Sequence, residues 1–520
     1  MATLTTQSIE GHRQEEQLRL DRLKTALERN KLGQFATPPE LAHNLTRYVR
    51  NLHGDGPVRF LDPAIGTGSF YSALLKTFSS ETIHDAAGIE IDPLFAETAR
   101  NLWAAEGLRI IEGDFTSRSP QPDYNLILTN PPYVRHHHIS GSEKERLKTR
   151  LARSLQMDIS GLAGLYCYFL LLCHDWMEEK ALAIWLIPSE FMDVNYGVTL
   201  RRYLTERVTL LHIHRFCPTD VQFTDALVSS AVVVFRKSPP PPGHNVRFSF
   251  AGPIDAPINE AHVQLQIVAH SSKWTQFPAT TTAKEKGRLN LGDIFSIKRG
   301  LATGCNEFFI LNEQDAKIWD IPQNFLKPIL PGPRYVTKEI VETRLDGTPE
   351  VCPRLFLLDC SEPEEIIKAK WPRFYEYLVT GYTQKIPEAY LTSRRAPWYS
   401  QEQRPPAPFL CTYMGRSRNG KPPFRFIWNK SQATAHNVYL LLYPKGPLLQ
   451  VLRQSPNLYE QVFEALNRIS PAQFLSEGRV YGGGLHKVEP KELAQVSAYT
   501  VLDSVDTLLH IEQQTSLFGQ

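Results

Sequence analysis

Asn130-Pro131-Pro132-Tyr133 closes the apolar run Tyr124–Thr129, and the types and spacing of these four residues suit one piece of chemistry. An amide, a rigid proline turn and an exposed aromatic at the carboxyl end of a strand can grip a planar amino group whose lone pair is delocalised into a ring, as in adenine. If the Asn130 side-chain oxygen and the Pro131 carbonyl accept the two N–H bonds, the lone pair localises and turns towards an electrophile. Pro131 and Pro132 fix φ and help hold the acceptors in place, while Tyr133 offers a face on which the base can stack. Four residues alone fit equally well a strand-ending turn with a buried tyrosine. The elements upstream break the tie.

Val58–Phe70 reads as a short buried strand, a glycine-containing loop, and a helix starting near Ser69. Gly66 and Gly68 let backbone come close to a ligand, and Asp62 at the strand end can take a cationic amine. A Gly-x-Gly loop alone is weak, because many nucleotide-binding folds use one. The next strand, Ala86–Asp92, carries Glu90 where ribose hydroxyls need an acceptor. A third, Leu108–Phe115, ends in Asp114 and Phe115, suited to an adenine amino group and ring. Carboxylates at three successive strand ends outline an adenosine-containing cofactor lying across a sheet.

In order, these segments resemble the motifs of the gamma-class, TaqI-like DNA adenine-N6 methyltransferases of restriction-modification systems. The family's first segment matches Gly33-Gln-Phe-Ala-Thr-Pro-Pro-Glu40, where Thr37 and Glu40 also read as a capping box with Pro38 in the first helical turn. Leu41, Leu45 and Val49 follow at helical spacing. The resemblance implies that Thr37, Asp62, Ala64, Gly66, Gly68, Glu90, Ile91, Asp114, Phe115 and Pro132 line an S-adenosyl-L-methionine pocket. It also implies that Asn130, Pro131, Pro132 and Tyr133 form the catalytic loop gripping a flipped base. Phe223 matches the family's second aromatic over that base, its alternative being an ordinary core phenylalanine. The likeness continues more faintly through Leu165–Leu172, read as a helix, and Leu182–Pro188, Leu210–Phe216 and Ser229–Phe235, read as the fifth and closing strands. The family often has a small residue where this chain carries Ile65. The implied fold is α/β, a Rossmann-like class I methyltransferase domain whose seven-stranded, mostly parallel sheet ends in an antiparallel hairpin, followed by a mixed α/β target-recognition domain.

Composition sets the outer limits. With 520 residues and 42% hydrophobic content, the chain divides into two or three domains. No run approaches a membrane span and the N-terminus lacks a signal-peptide pattern; the scattered cysteines argue for a reducing cytoplasm, which the resemblance implies is prokaryotic. Seven scattered cysteines without a Cys-x-x-Cys pair argue against zinc or a disulfide framework. His136-His137-His138 reads as loop residues near DNA, contiguous histidines being unable to face one ion together; no metal is expected.

A net charge of +2 says little, but its distribution says more. From Arg394 to Lys430 eight basic residues face Glu402 alone, a local charge of +7. Interleaved are Trp398, Tyr399, Phe409, Tyr413, Phe424, Phe426 and Trp428. Basic residues for phosphates and guanine edges, mixed with aromatic platforms, suit a DNA-reading surface, with Arg394, Arg395, Arg416, Arg418, Lys421 and Arg425 as its candidates. A solvated basic face over an aromatic core is the competing reading.

The organisation expected is an N-terminal helical arm over 1–30, with Leu20, Leu23 and Leu27 on one side, a catalytic domain over 31–243, a connecting segment over 244–284 and a target-recognition domain over 285–520. Ser238–Gly243 marks a linker or exposed loop. Double-stranded DNA is the expected partner of a monomeric enzyme, with a separate cognate restriction endonuclease as a further one. Rival readings are cytosine-N4 methylation, a protein glutamine acceptor, and a DNA-binding protein whose methyltransferase fold is inactive. Serine more commonly opens the loop in cytosine enzymes, and a glutamine methyltransferase needs no second domain rich in basic and aromatic residues.

Overall fold

The computed structural model describes residues 6–217, 222–223, 229–278, 289–417, 422–470, 479–481 and 485–502. The chain divides into two compact units, Met1–Ala283 with Tyr481–Gly483, and Lys284–Val480 with Gly484–Gln520.

The first unit is built on β1 (Val58–Asp62), β2 (Ile83–Glu90), β3 (Arg109–Glu112), β4 (Tyr124–Thr129), β5 (Met177–Pro188), β6 (Thr209–Arg215), β7 (Ser230–Arg236), β8 (Asn245–Phe250) and β9 (Asn259–Gln264). They form one sheet in the order β3-β2-β1-β4-β5-β7-β6-β8-β9. β1 to β5 are parallel, and β7 runs antiparallel to both β5 and β6. The first seven strands are the expected Rossmann-like sheet with its closing hairpin. The sheet then runs two strands further, β8 joining parallel to β6 and β9 antiparallel to β8. The stretch after Gly243, expected as a connecting segment, therefore contributes two strands to this sheet. Its signal is the alternation in Asn245-Val-Arg-Phe-Ser-Phe250, where Val246 and Phe248 are buried.

Strands buried on both faces read as continuous apolar runs, and here the period of two sorts them into two cores. Ala183, Trp185 and Ile187 of β5 and Val233 and Phe235 of β7 face a core closed by α6 (Gly141–Leu155), α7 (Leu165–Leu172) and α8 (Val198–Glu206). Leu182, Ile184, Leu186, Val232 and Val234 face the other, closed by α3 (Pro39–His53), α4 (Ser69–Thr77) and α5 (Pro93–Trp103). Strand order reverses between β1 and β4, so the loops after them part and leave a crevice at the carboxyl ends.

The N-terminal arm, where residues 10 to 30 read in sequence as a single charged helix, is two helices. α1 (Thr6–Asp21) and α2 (Ala26–Leu32) are separated at Arg22–Thr25. The Thr25 N–H donates to the Glu28 carboxylate at 2.7 Å while the Glu28 N–H donates to Thr25 Oγ1 at 3.3 Å, a capping box that restarts the helix. Arg29 donates to the Asp21 and Lys24 carbonyls at 2.6 and 2.7 Å, tying off the end of α1. Of the expected leucine stripe Leu20 is buried and Leu23 exposed; the Leu27 side chain lies outside the described residues.

The second unit is mixed α/β. A five-stranded sheet joins Phe295–Arg299, Tyr439–Pro444, Phe409–Thr412, Phe426–Asn429 and Ile340–Val341, and a four-stranded sheet joins Ile310–Asn312, Leu355–Leu358, Leu326–Leu330 and Thr434–Ala435. Its longer helices are Glu364–Lys370, Pro372–Thr383, Gly446–Gln454 and Leu458–Asn467, and Met414–Arg416 belongs to a further three-stranded sheet.

Candidate active site

β1, β2 and β4 end side by side, bringing Asp62, Glu90 and Asn130 to one edge of the sheet. Asn130 has the most informative environment. Its Nδ2 donates to the Phe35 carbonyl at 2.9 Å and to Thr37 Oγ1 at 3.2 Å. A carbonyl can only accept, so the Phe35 contact decides which end of the amide is nitrogen. The other end, Oδ1, is buried without a hydrogen-bond partner among the described residues. An orphaned buried acceptor is costly unless a ligand satisfies it, and the adjoining Pro131 carbonyl takes no part in the backbone hydrogen bonds among those residues.

Thr37 is thus diverted from the expected capping box. α3 begins one residue later, with Pro38 as N-cap and no side-chain cap bond, and the Thr37 hydroxyl serves Asn130 instead. The same loop abuts the Asn130–Tyr133 segment through Gly33, whose carbonyl accepts the Tyr133 N–H at 3.1 Å. A Cβ at Gly33, where φ is +67°, would collide with the Tyr133 amide nitrogen.

Tyr133 departs from the expected exposed platform. It is 6% exposed, and its hydroxyl donates to the Leu186 carbonyl at 3.0 Å. Its ring lies 5.6 Å from that of Phe35 and 5.9 Å from that of Phe223, with Phe35 and Phe223 also 5.9 Å apart. Phe223, expected as a second aromatic over the base or as a core phenylalanine, is 4% exposed and packs on Tyr133. Phe35, which carries no signal of its own in the sequence, completes a trio of touching rings.

At the end of β1 the buried Asp62 carboxylate accepts the Ala64 N–H at 3.0 Å. Burial above all pushes its carboxyl up to about 7, the nearby Glu90 carboxylate adding to the rise and the Ala64 N–H opposing it. Glu90 is also buried and raised by burial. Its Oε2 accepts the Gly66 N–H at 3.0 Å and its Oε1 the Asp92 N–H at 2.9 Å. Ile91 next to it is 67% exposed, an apolar face left open, and Ala64 and Pro132 are half-buried.

Three expected pocket residues are engaged elsewhere. The Phe115 ring, 2% exposed, packs against Phe169 at 5.0 Å and Trp176 at 5.5 Å, so it belongs to the core and offers no free face. Gly68, at φ +91°, has Trp103 where a Cβ would go; its lack of a side chain serves helix packing and not ligand approach. The Asp114 carboxylate caps its own turn, accepting from Thr116 N at 2.8 Å, Thr116 Oγ1 at 2.8 Å and Ser117 Oγ at 2.5 Å. Arg146 of α6 adds an ion pair at 3.2 Å. Burial raises this acid, but the Ser117 and Thr116 hydrogen bonds and Arg146 outweigh it and hold it below the ordinary carboxylate range. Arg146 is invisible to sequence reading because the contact spans 32 residues.

The candidate DNA surface also divides. Arg395 donates to the Thr303 and Ala302 carbonyls at 2.7 and 2.8 Å, and Arg425 to the Pro333 carbonyl at 2.7 Å and to that of Val336. Both are internal ties, which corrects their expected role as DNA contacts. Arg394 lies exposed over the ring of Tyr390, 3.8 Å from its centroid, and Tyr390 is itself exposed. Arg416 is exposed on the strand Met414–Arg416. Arg418 and Lys421 lie outside the described residues. Trp398, Tyr399, Phe409, Tyr413, Phe424 and Phe426 are buried, so the basic and aromatic interleaving is mostly a core with a charged exterior.

Comparison with known proteins identifies the family. The model of the Eco57I restriction-modification methylase family matches residues 81–222, and that of the C-terminal domain of type II methyltransferase M.Eco57I matches residues 273–517. The type II methyltransferase M.XamI of Xanthomonas campestris pv. amaranthicola is 27% identical over 477 residues, 89% of this chain and 84% of its own. M.AccI of Acinetobacter calcoaceticus is 25% identical over 485 residues, 89% of this chain and 85% of its own. Among solved structures the type IIL restriction-modification enzyme MmeI, determined in complex with DNA, shares the fold with a TM-score of 0.51 at 13% identity, over 96% of this chain and 75% of that one. The first unit has the class I methyltransferase architecture, and the chain belongs to the type II restriction-modification DNA methyltransferases.

Proposed function

We propose that the chain transfers the methyl group of S-adenosyl-L-methionine to the N6 amino group of an adenine extruded from a specific sequence in duplex DNA. The observation that carries this reading is the buried Asn130 Oδ1, held ready by a nitrogen already satisfied on Phe35 and Thr37. An acceptor fixed in this way suits an exocyclic amine and refuses a carbonyl.

The donor set fits the cofactor. Asp62, raised by burial and in want of a cation, is the partner for its ammonium group. Glu90 has lone pairs to offer the ribose hydroxyls, and exposed Ile91 a surface for the adenine ring, with Thr37, Ala64, Gly66 and Pro132 bordering the site. Asp114 shapes the pocket edge through the turn it caps. When bound, this cofactor supplies an electrophilic methyl group. Asn130 Oδ1 and the Pro131 carbonyl then accept the two N6 hydrogens, so that the amine's lone pair is freed from the ring and pointed at the donor. The crowded trio of Phe35, Tyr133 and Phe223 rings provides the base's contact surfaces once one of them yields. Positioning and electrostatics carry the rate, and the methylated amine, now acidic, loses its proton without a dedicated strong base.

Exposed Arg394 and Arg416 of the second unit are the proposed DNA contacts. The enzyme acts as a monomer in a prokaryotic cytoplasm beside a separate restriction endonuclease. The test is incubation of plasmid DNA with protein and methyl-labelled cofactor, followed by nucleoside chromatography. Label in N6-methyldeoxyadenosine supports the reading. Label in N4-methylcytosine would replace adenine with cytosine as the acceptor, and label in neither would leave a fold without turnover.

A further inference from the structure

We infer that the N-terminal arm is a positioning element of the cofactor pocket, with Arg13 and Lys24 holding the two loops that present Glu90. The inference rests on the proposed reading of Glu90 as a cofactor contact.

The Glu90 carboxylate is oriented by one N–H from each of two loops, Gly66 after β1 and Asp92 after β2. The arm grips the residue next to the first donor and the side chain of the second. Arg13, 2% exposed, donates to Thr67 Oγ1 at 3.0 Å, and that hydroxyl in turn donates to Gln17 Oε1 at 2.7 Å. The rest of the Arg13 guanidinium is locked on Glu10 at 2.9 and 2.7 Å. Trp103 holds the Thr67 carbonyl from the other side at 2.8 Å. Lys24 pairs with Asp92 Oδ2 at 2.6 Å and also donates to Gln34 Oε1 at 3.0 Å. Its own carbonyl is fixed by Arg29, so the ammonium projects from a tied turn.

A buried guanidinium bound to a loop hydroxyl, and an ion pair to the neighbouring loop from the same short arm, set the spacing of the two N–H groups that Glu90 spans. A carboxylate whose two oxygens are each anchored on a different loop turns when either loop shifts. Neither Arg13 nor Lys24 touches the pocket, so both act through Glu90. The sequence motifs of the pocket begin at Gly33; the arm adds a layer of control ahead of them.

The test uses the full chain. Lys24→Ala and Gln17→Ala are titrated calorimetrically with S-adenosyl-L-methionine, and KM for cofactor is separated from kcat on saturating DNA. The expected result is a rise in Kd and KM of roughly three- to tenfold with kcat within about twofold, and recovery in Lys24→Arg, which keeps the charge on Asp92. Arg13→Gln should show the larger effect; if it does not fold, Gln17→Ala still reports on Thr67. Parent-like Kd in both alanine variants would overturn the inference, as would a fall in kcat at unchanged Kd. Failure of the parent itself to bind the cofactor would instead overturn the reading of Glu90, and the inference with it.

Discussion

Asn130 offers its oxygen and withholds its nitrogen, and that asymmetry can be probed directly. Asn130→Ala removes the acceptor while leaving Asp62 and Glu90 in place; methyl transfer should fall by about 10²–10³-fold or more with cofactor affinity unchanged by calorimetry. Near-normal turnover would remove the central residue of the mechanism. Asp62 gives a pH signature. Its carboxyl is raised from 3.8 to about 7, so its ionisation weakens the cofactor-free fold as pH climbs through that window, and a bound cation offsets the loss. Cofactor Kd should therefore rise by up to about tenfold per pH unit below pH ~7 and level off above it, with proton release seen as a buffer-dependent binding enthalpy at pH 6. A flat profile would mean that Asp62 does not meet the amine. Asn130, Asp62 and Glu90 are legible in the sequence because a polar residue closing an apolar run marks a strand end. Phe115 and Gly68 are not, since what occupies them, Phe169 and Trp103, sits far away in the chain, and Asp114 is not, since a carboxylate that caps its own turn on Thr116 and Ser117 looks the same in sequence as one left open.

At the scale of elements, the loop from Gly33 to Thr37 is a mould for the Asn130–Tyr133 segment. It contributes the carbonyl under Tyr133 N, the carbonyl and hydroxyl on Asn130 Nδ2, and the Phe35 ring. Gly33→Ala would force a methyl group into the Tyr133 backbone and shift these acceptors together. The expected outcome is a loss of about 10²-fold in single-turnover methylation, with cofactor Kd changed far less. Equal damage to both would mean that the substitution unfolds the region as a whole. Some elements are readable from periodicity, as with Leu45 and Val49, found buried in α3; others, such as Leu165–Leu172, found as α7, are expected only from the family resemblance. Two boundaries are not readable. Thr37 looks like an N-cap because Glu40 follows three residues later, but its hydroxyl has a stronger claim on Asn130. The arm looks like one helix because the Thr25-to-Glu28 capping box lies inside an otherwise unbroken charged stretch.

For the whole molecule, the division into two units gives the arginines of the second unit different fates under mutation. Replacing Arg394 and Arg416 with alanine should weaken DNA binding and lower the salt slope by ~1 for each phosphate no longer neutralised, while cofactor affinity stays as in the parent. Arg425→Ala should instead lower the melting temperature, by an amount corresponding to about 1–3 kcal/mol, because it strips the partner from the Pro333 and Val336 carbonyls. If Arg394 and Arg416 variants bind DNA normally across a salt titration, the basic stretch is ordinary surface. From sequence alone all these arginines look alike, since charge density is visible there and direction is not. The aromatic residues between them alternate into cores that the second unit closes with its own residues, just as β5 and β7 close those of the first. If the exposed side chains of the second unit read the target as proposed, a lineage carrying such a chain can wander through new target sequences by trading those side chains, while the machinery proposed to make the mark is inherited unchanged.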